Sequence, residues 1–245
     1  MDADLAFALE LADVADSLSL PRFRSVDLRV ETKPDLTPVT DADRAVERAL
    51  RERIGAARPG DGVFGEEEGD DSGYSTVRWI LDPIDGTRNF SRGIPVWATL
   101  IALEREGVLT AGVVSAPALG RRWWASRGAG ASASGEPIRV SAVAALRDAA
   151  VSCSHARDLA ALEPHVWHAR GIGDFWQHVL VAEGALDAAV DAELALWDYA
   201  AVELIVTEAG GRVTAPDGAA PRSGEQVVAS NGLVHDEILA LLRDR

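Results

Sequence analysis

The chain has 245 residues, 47% of them hydrophobic, and its formal net charge at pH 7 is −15. This length and apolar content allow a sizeable buried core. The acidic balance argues against nucleic-acid binding, because nucleic-acid-binding surfaces are built from clustered Lys and Arg. An acidic protein also repels phosphate anions unless bound cations reverse the local field, so a phosphate substrate would imply a metal.

Cysteine usage and hydropathy bear on the cellular compartment. Cys153 is the single cysteine, which excludes an intramolecular disulfide, and the N-terminal residues lack the basic start and apolar stretch of a secretory signal. The longest apolar run, residues 96–103, is far shorter than the ~18 residues that a membrane span needs. We therefore expect a cytoplasmic protein with no membrane partner.

Periodicity predicts the elements of the first half. Residues 3–18 carry apolar side chains on one helical face, and residues 33–38 are expected to form a loop punctuated by proline. Thr40 and Asp41 can cap a second helix, in which Val46, Leu50 and Ile54 recur every four residues. Four short apolar runs are then typical of strands: residues 77–81, 96–103, 108–115 and 122–126.

In the second half, predicted strands and helices alternate. The strands are residues 149–153, 187–190 and 227–229, and the helices are residues 174–183, residues 197–209 and a segment from Val234. Residues 128–135, rich in Gly, Ala and Ser, and the segment after them mark the boundary between the halves. We therefore expect an α+β half over residues 1–145 and an α/β half over residues 146–245.

Residues 82–87 (DPIDGT) place two carboxylates at the end of a predicted strand. Pro83 fixes φ and Gly86 lets the backbone approach a ligand, so Asp82 and Asp85 can form a compact nest of oxygen ligands. Mg²⁺ takes such ligands, and a backbone carbonyl between the carboxylates can add another. An ordinary Asx turn would also explain Asp82 and Pro83 taken alone.

Three further acidic segments favour the metal interpretation. The run Glu66 to Glu68 follows a short apolar pair, Asp198 opens an apolar helix, and Asp41 stands at the start of another. Taken singly, the acidic run is explained as a solvated face, and the two aspartates are explained as helix N-caps. Together with residues 82–87 they indicate a metal site.

The order and spacing of these motifs resemble those of the inositol monophosphatase superfamily. The resemblance rests on residues 82–87, residues 65–67 (GEE) and residues 197–211, and it extends from Asp41 to Gly232. It implies an α/β fold, the layered αβαβα sandwich of the sugar-phosphatase type, and usually a homodimer. It also implies hydrolysis of a small phosphate monoester with two or three Mg²⁺ ions.

Carried over by position, the resemblance gives the metal ligands. They are Glu66, Asp82, the Ile84 carbonyl and Asp85, with Asp198 completing the second metal site. Converging carboxylates would raise one another's pKa and repel unless divalent cations neutralise them, so the electrostatics agree with a metal centre. Bound cations would polarise the phosphate, lower the pKa of water and stabilise the leaving alkoxide.

The resemblance also implies catalytic and substrate-binding roles. Thr87, paired with Asp41, would orient and deprotonate the attacking water, and Asp85, Gly86 and Thr87 would contact the substrate. Lys33, the only lysine, could place a charge near the phosphate or be an exposed loop residue.

The histidines show no ligand spacing, which disfavours zinc. We expect all five and Cys153 to be structural: His155, His165, His168, His178 and His235.

Two acids in the second half bear on the substrate. Asp174 stands where relatives that bind a neutral polyol usually carry a small residue, and Asp191 stands where inositol-specific members carry a substrate-contacting acid. Residues 173–175 (GDF), 181–184 (VAEG) and 121–124 (RRWW) resemble the histidinol-phosphatase branch. Two acids beside a phosphate would favour L-histidinol phosphate, which carries an amine and an imidazole. Asp174 could also be the N-cap of the following helix.

The leading hypothesis is therefore the hydrolysis of histidinol phosphate to histidinol and phosphate. Inositol-1-phosphate is the closest rival substrate, and nucleotide or fructose bisphosphates are weaker ones. A metal-binding regulatory protein without turnover is the alternative from a different class. The presence of Asp41 and Thr87 beside the expected ligands argues against lost activity.

Overall fold

The computed structural model describes residues 2–243, in which helices and strands are mixed along the chain. The helices are α1 (Ala3–Arg22), α2 (Asp41–Ala57), α3 (Thr87–Ser91), α4 (Ala156–Leu162), α5 (Asp174–Ala182), α6 (Leu196–Glu208) and α7 (His235–Arg243). The strands are β1 (Val30–Thr32), β2 (Pro38–Thr40), β3 (Gly62–Gly65), β4 (Gly69–Asp70), β5 (Val77–Asp85), β6 (Ala98–Arg105), β7 (Val108–Ala116), β8 (Arg121–Ser126), β9 (Ala131–Ala133), β10 (Glu136–Ile138), β11 (Ala150–Cys153), β12 (His168–Arg170), β13 (Ala188–Leu194), β14 (Arg212–Thr214) and β15 (Glu225–Ser230).

The strands form two large sheets and a separate hairpin of β1 and β2. The eight-stranded sheet has the order β10-β9-β8-β7-β6-β5-β3-β4, and its pairs are antiparallel except for β3 with β5. The five-stranded sheet has the order β12-β11-β13-β15-β14. There β11 is parallel to both of its neighbours, whereas β15 is antiparallel to β13 and β14.

Three apolar cores stack these elements into five layers. Helices α1 and α2 pack on one face of the eight-stranded sheet, in a core that includes Leu50 and Trp79. Helices α5 and α6 lie between the two sheets, in a core that includes Ile80 and Ile205. Helices α4 and α7 cover the far face of the five-stranded sheet, with Ile238. The predicted αβαβα sandwich is therefore confirmed.

The alternation of side chains along β5 explains why one strand serves two cores. Trp79 and Leu81 belong to the core under α1 and α2, and Ile80 between them belongs to the core under α5 and α6. Successive residues of a strand point to opposite faces, so a strand buried on both sides is apolar throughout. Asp82, which follows, is 1% exposed.

The chain passes from one sheet to the other between Ile138, where β10 ends, and Ala150, where β11 begins. Residues 128–135 lie before this passage and comprise β9 with the turns on either side of it. The core of the middle layer joins Ile80 of the first sheet to Val227 of the second. The two halves thus share one core, and their description as separate units stays a prediction.

Most of the longer elements lie where periodicity predicts them, with ends that differ by a few residues, but helix α4 was not predicted. The shorter ones were not anticipated: the β1–β2 hairpin surrounds the predicted loop, and β4, β9, β10, β12 and β14 each have two or three residues. Strands this short carry too few side chains to show a period. None of the helices within residues 2–243 has the length and apolar content needed to cross a lipid bilayer.

Helix α6 approaches the eight-stranded sheet closely at Gly112 of β7. A Cβ atom at this position would lie 3.0 Å from the carbonyl oxygen of Ala201 and 3.4 Å from its Cα. The absence of a side chain at Gly112 therefore sets how near α6 can lie to the sheet.

We predict that Gly112→Val lowers the free energy of unfolding by about 1–3 kcal/mol, because the added methyl groups overpack this contact. Denaturant unfolding measures the change. Gly55→Ala in α2 is the control, since nothing lies within 4 Å of a Cβ atom there, and it should be neutral or stabilising by up to ~1 kcal/mol. Equal losses in both variants would contradict the close contact.

Candidate metal and active site

Asp82 and Asp85 lie at the irregular end of β5. In a regular strand, residues three apart point to opposite faces of the sheet. The register of β5 with β6 shifts between the pairs Asp82–Leu100 and Asp85–Ala98, where Pro83 has no N–H to donate. Such a bulge re-aims side chains, and here it allows both carboxylates to face one site.

Asp198 reaches the same site from α6. One carboxylate oxygen from each of Asp82, Asp85 and Asp198 lies within 4.8 Å of the others. Asp198 is the third residue of α6, and its Oδ2 also accepts a hydrogen bond from the Ala195 amide at 2.7 Å. Because a carboxylate offers two oxygens, Asp198 can accept the hydrogen bond from the Ala195 amide at the start of α6 and also face the cluster.

Glu66 directly follows β3 and lines the cavity that Asp82, Asp85 and Asp198 line. Its turn is held by Glu47 of α2, a fully buried residue that accepts hydrogen bonds from the amides of Glu67 at 2.8 Å and Glu68 at 3.0 Å. A Cβ atom on Gly65 would collide with the Glu47 carboxylate. Glycine before Glu66 is therefore a packing requirement.

Lys33 lies among the acids of this turn. Its Nζ is 2.8 Å from Glu66 Oε1 and 2.6 Å from Glu67 Oε1, and its side chain is 18% exposed. The interpretation of Lys33 as an exposed loop lysine is therefore wrong. Partial burial alone would lower the pKa of Lys33, but the two carboxylates raise it above its ordinary value. Lys33 thus carries a fixed positive charge beside a predicted metal ligand.

Burial and mutual repulsion dominate the electrostatics of the cluster. Burial, followed by the charges of neighbouring carboxylates, raises the pKa of Asp82 and the pKa of Asp85 well above their ordinary values. Burial likewise raises the pKa of Asp198 to about 7. Holding these acids close together is unfavourable because their negative charges repel, and a bound divalent cation would relieve this repulsion.

Thr87 contacts Asp43, so the predicted pairing of Thr87 with Asp41 is wrong. Thr87 Oγ1 lies 3.1 Å from Asp43 Oδ1 and 2.9 Å from the Ile84 carbonyl oxygen. A hydroxyl has one proton, so it donates to one of these acceptors at a time. Burial raises the pKa of Asp43 to about 6.

Helix geometry explains the exchange of Asp41 for Asp43. Residues two apart on a helix of 3.6 residues per turn face nearly opposite directions. Asp43 is fully buried, whereas the Asp41 side chain is 38% exposed and its Oδ2 accepts a hydrogen bond from Arg22 at 2.8 Å. The sequence carries the signal, because Asp43 precedes Val46 by three positions and Leu50 by seven, on the apolar face.

Asp174 is the first residue of α5, and Gly173 is its N-cap, so the N-cap interpretation of Asp174 is wrong. Asp174 has φ +50°, a left-handed conformation that Asp and Asn adopt more readily than most residues. Its Oδ2 accepts a hydrogen bond from Asn89 Nδ2 at 2.8 Å. The next amide, that of Phe175, donates to Asp85 Oδ2 at 2.6 Å. The start of α5 is therefore tied to the metal cluster.

Asp191 lies on β13, just before a register shift against β15, and is 5% exposed. Gln177 Nε2 donates to its Oδ2 at 2.6 Å, and Ser152 in turn donates to Gln177 at 2.7 Å. Burial would raise the pKa of Asp191, but the nearby His178 and hydrogen bonds that include Gln177 hold that pKa below its ordinary value. Asp191 is thus a fixed, charged acid.

Two adjoining cavities connect these groups. The first, of about 180 Å³, contains the metal cluster together with Gly86 and Thr87. The second, of about 200 Å³, is lined by Asp85, Asp174, Phe175, His178, Asp191, Leu194 and Asp198. Asp85, Asp174 and Asp198 line both, so the two cavities form one continuous acidic site.

The structure assigns the histidines unequally. His235 is a buried structural residue, as predicted, with one ring nitrogen 2.8 Å from Thr214 Oγ1 and the other 2.7 Å from Ser230 Oγ. His178, in contrast, lines the second cavity. The signal in the sequence is its position four residues after Asp174, which places both on one face of α5. Cys153 is buried in the core beneath α4 and α7.

Two of the segments singled out in the sequence meet at the other end of α5. Glu183, which follows the helix, accepts a hydrogen bond from Trp123 Nε1 and pairs with Arg121 at 2.5 Å. The ring centroids of Trp123 and Phe175 are 6.1 Å apart. Residues 121–124 and 181–184 therefore contribute to the site by fixing α5 against the eight-stranded sheet.

Comparisons with known proteins agree with this architecture. The family model described as "Inositol monophosphatase family" matches residues 1–245. The histidinol-phosphatase of Mycobacterium tuberculosis is 53% identical to this chain, in an alignment that covers 98% of this chain and 97% of that protein. The histidinol-phosphatase of Streptomyces coelicolor is 48% identical over 99% of this chain and 97% of its own length.

Solved structures show the same fold. The IMPase of Thermotoga maritima superposes with a TM-score of 0.92 at 32% identity, covering 99% of this chain and 98% of that one. Sequence and structure thus agree over nearly the full length. The chain therefore belongs to the inositol monophosphatase family.

Proposed function

We propose that this protein hydrolyses L-histidinol phosphate to L-histidinol and phosphate with the help of Mg²⁺. The observation that carries the phosphatase assignment is the convergence of Asp82, Asp85 and Asp198 within 4.8 Å, beside the pair formed by Thr87 and Asp43. The two further acids in the adjoining cavity and the 53% identity to a histidinol-phosphatase support the substrate.

The donor set fits Mg²⁺. All side-chain ligands proposed here are carboxylates, the hard oxygen donors that Mg²⁺ prefers, and the pKa of each of Asp82, Asp85 and Asp198 is raised by burial when no cation is near. We propose that Glu66, Asp82, the Ile84 carbonyl and Asp85 hold one part of a centre of two or three ions, and that Asp198 holds another. When bound, Mg²⁺ supplies charge that stabilises the transferring phosphoryl group.

Asp43 and Thr87 would position the attacking water. When the Thr87 hydroxyl donates its proton to Asp43, the Thr87 oxygen can accept a hydrogen bond from water. A buried acid whose pKa is about 6 can accept a proton near neutral pH, as a general base requires. This intact pair argues against a regulator that has lost turnover.

Phosphate binding is proposed at the start of α3. Gly86 and Thr87 line the first cavity, and Gly86 has φ +81°, a conformation that glycine adopts without strain. A Cβ atom there would lie 3.0 Å from the Val96 carbonyl oxygen. The amides of Gly86 and Thr87 would donate hydrogen bonds to phosphate oxygens. Asp85, which lines both cavities, would contact the substrate where the phosphate joins the alcohol.

Asp174 and Asp191 would select the leaving alcohol. Both acids line the second cavity, where Asp191 is buried, and Asp174 also lines the first cavity, close to Gly86. A second phosphate would be repelled there, which disfavours bisphosphate substrates, whereas a cationic amine would be attracted. Inositol-1-phosphate, a neutral polyol ester, stays the closest alternative. A homodimer in the cytoplasm stays a prediction from the family resemblance and the cysteine content.

The first prediction concerns the metal-free protein. Burial raises the pKa of Asp198 to about 7, above its unfolded value near 4, so the folded state binds this proton more tightly. The associated stability is present at low pH and is lost as pH rises through about 7. In chelator at pH 8, Asp198→Asn should therefore melt at a higher temperature than the wild type.

The difference in Tm should shrink as pH falls towards 5, and Mg²⁺ at pH 8 should stabilise the wild type more than the variant. Comparing the two proteins matters, because burial lowers the pKa of His235 to about 4 and its protonation opposes the trend below pH 6.5. A wild type that melts above Asp198→Asn in chelator at pH 8 would contradict the prediction.

The second prediction separates two neighbouring aspartates. Asp43→Asn should lower kcat by about 10²- to 10⁴-fold, since it removes the proposed base. Asp41→Asn should change kcat less than about threefold, because it breaks a half-exposed ion pair with Arg22. Steady-state assays at saturating Mg²⁺ measure both, with circular dichroism to confirm folding. Equal losses would reject the assignment of Asp43.

The third prediction tests the substrate. Phosphate release should be faster, by kcat/KM, from L-histidinol phosphate than from inositol-1-phosphate or glycerol phosphate, and chelator should abolish it. Asp174→Asn keeps a residue that tolerates left-handed φ but removes the charge. It should lower kcat/KM for histidinol phosphate by about 10- to 100-fold, the effect of a lost charge-assisted hydrogen bond.

The same variant should affect glycerol phosphate far less. Parallel losses on the two substrates would show that Asp174 supports the metal centre or the fold, and a wild-type preference for inositol-1-phosphate would reject histidinol phosphate as the substrate. Asp191→Asn should follow the same pattern as Asp174→Asn.

A further inference from the structure

His178 is buried and poorly paired: its Nε2 has only a long contact with Asp191, at 3.4 Å, and its Nδ1 has no hydrogen-bond partner among residues 2–243. The residue is 1% exposed. His235 shows the usual outcome in the same chain, because both of its ring nitrogens contact hydroxyls at 2.7–2.8 Å. The large majority of buried side-chain polar atoms are hydrogen-bonded, and leaving one unpaired is destabilising. The unpaired Nδ1 of His178 therefore calls for a ligand.

The position of His178 shows which ligand it meets. The ring lines the second cavity with Asp174 and Asp191, and it lies one helical turn after Asp174 on the same face of α5. That cavity shares Asp85 and Asp198 with the metal cluster. A phosphate ester bound at the cluster would direct its alcohol towards His178.

Asp191 determines how the ring can act. His178 Nε2 lies 3.4 Å from Asp191 Oδ2, without the alignment of a hydrogen bond. Asp191 itself is held in place by Gln177 and by the amide of Ala192 at 3.1 Å. An acid fixed beside Nε2 favours the tautomer that carries its proton on that nitrogen, which leaves Nδ1 as an acceptor.

We propose that His178 determines specificity by accepting a hydrogen bond from an N–H group of the leaving alcohol, with Asp191 acting as the positioning residue that fixes its tautomer. The inference rests on the function proposed above and extends it. Asp174, which also lines the phosphate cavity, takes the cationic group nearer the ester. His178 takes the more distant N–H, which in histidinol belongs to the imidazole ring.

The test compares His178→Leu, His178→Asn and a control, His235→Asn, in Mg²⁺-loaded enzyme. The ratio of kcat/KM for L-histidinol phosphate to that for glycerol phosphate should fall about tenfold in His178→Leu, the effect of one lost hydrogen bond. His178→Asn should restore part of the ratio, because its amide oxygen is an acceptor near the place of Nδ1. His235→Asn should keep the ratio while lowering Tm.

Thermal stability separates this role from a structural one. His178→Leu should cost little in Tm, because its contact with Asp191 is long and Asp191 keeps its hydrogen bonds from Gln177 and the Ala192 amide. A marked fall in Tm of His178→Leu with an unchanged substrate ratio would overturn the proposal. Calorimetry with L-histidinol gives an independent measure, since its Kd should rise about tenfold in His178→Leu.

Failure of the proposed function gives a different result. If wild-type enzyme hydrolyses glycerol phosphate but shows no preference for histidinol phosphate, the substrate assignment fails while the metal chemistry stands. If the wild type has that preference and His178→Leu keeps it, only the role of His178 fails.

Discussion

Repulsion between buried carboxylates is the constraint on which this structure depends. Asp82, Asp85 and Asp198 come from two different layers of the sandwich and meet within 4.8 Å. Unpaired charges at this depth are unfavourable, so the apolar layers on both sides must hold the three acids in place against their repulsion. The bulge in β5 and the close approach of α6 to β7 at Gly112 are the backbone features that make this convergence possible.

Hydrogen-bond donors around the cluster fix the acids without neutralising them all. The amides of Phe175 and Ala195 each donate to a carboxylate, and Glu47 orders the turn that carries Glu66. The ammonium group of Lys33 places a positive charge beside Glu66. The carboxylates of the site are therefore held in fixed positions and carry an excess of negative charge. This arrangement suits chemistry that depends on a divalent cation.

The layers could be predicted because apolar periodicity extends over many residues, and the three aspartates could be predicted because they lie in motifs with a regular order and spacing. Apolar periodicity identifies α1, α2 and β5 to β8, and the spacing of residues 82–87 and 197–198 matches a family. The choice between Asp41 and Asp43 needed the rotational phase of α2, and both residues are acidic within one turn. The proposal for His178 needed the structure, because a sequence does not show which buried groups are left unpaired. The short strands carried no period at all.

Helix α5 is fixed at both ends, by Phe175 against Asp85 at its start and by Glu183 against Trp123 after its end. Between these two ends, Gln177 donates a hydrogen bond to Asp191, and Val179 and Val181 pack in the core between the sheets. The face of α5 that carries Asp174 and His178 lines the second cavity instead. If Asp174 and His178 select the leaving alcohol as proposed, the alcohol preference can change within this fold at two positions one helical turn apart, without any change in the metal ligands.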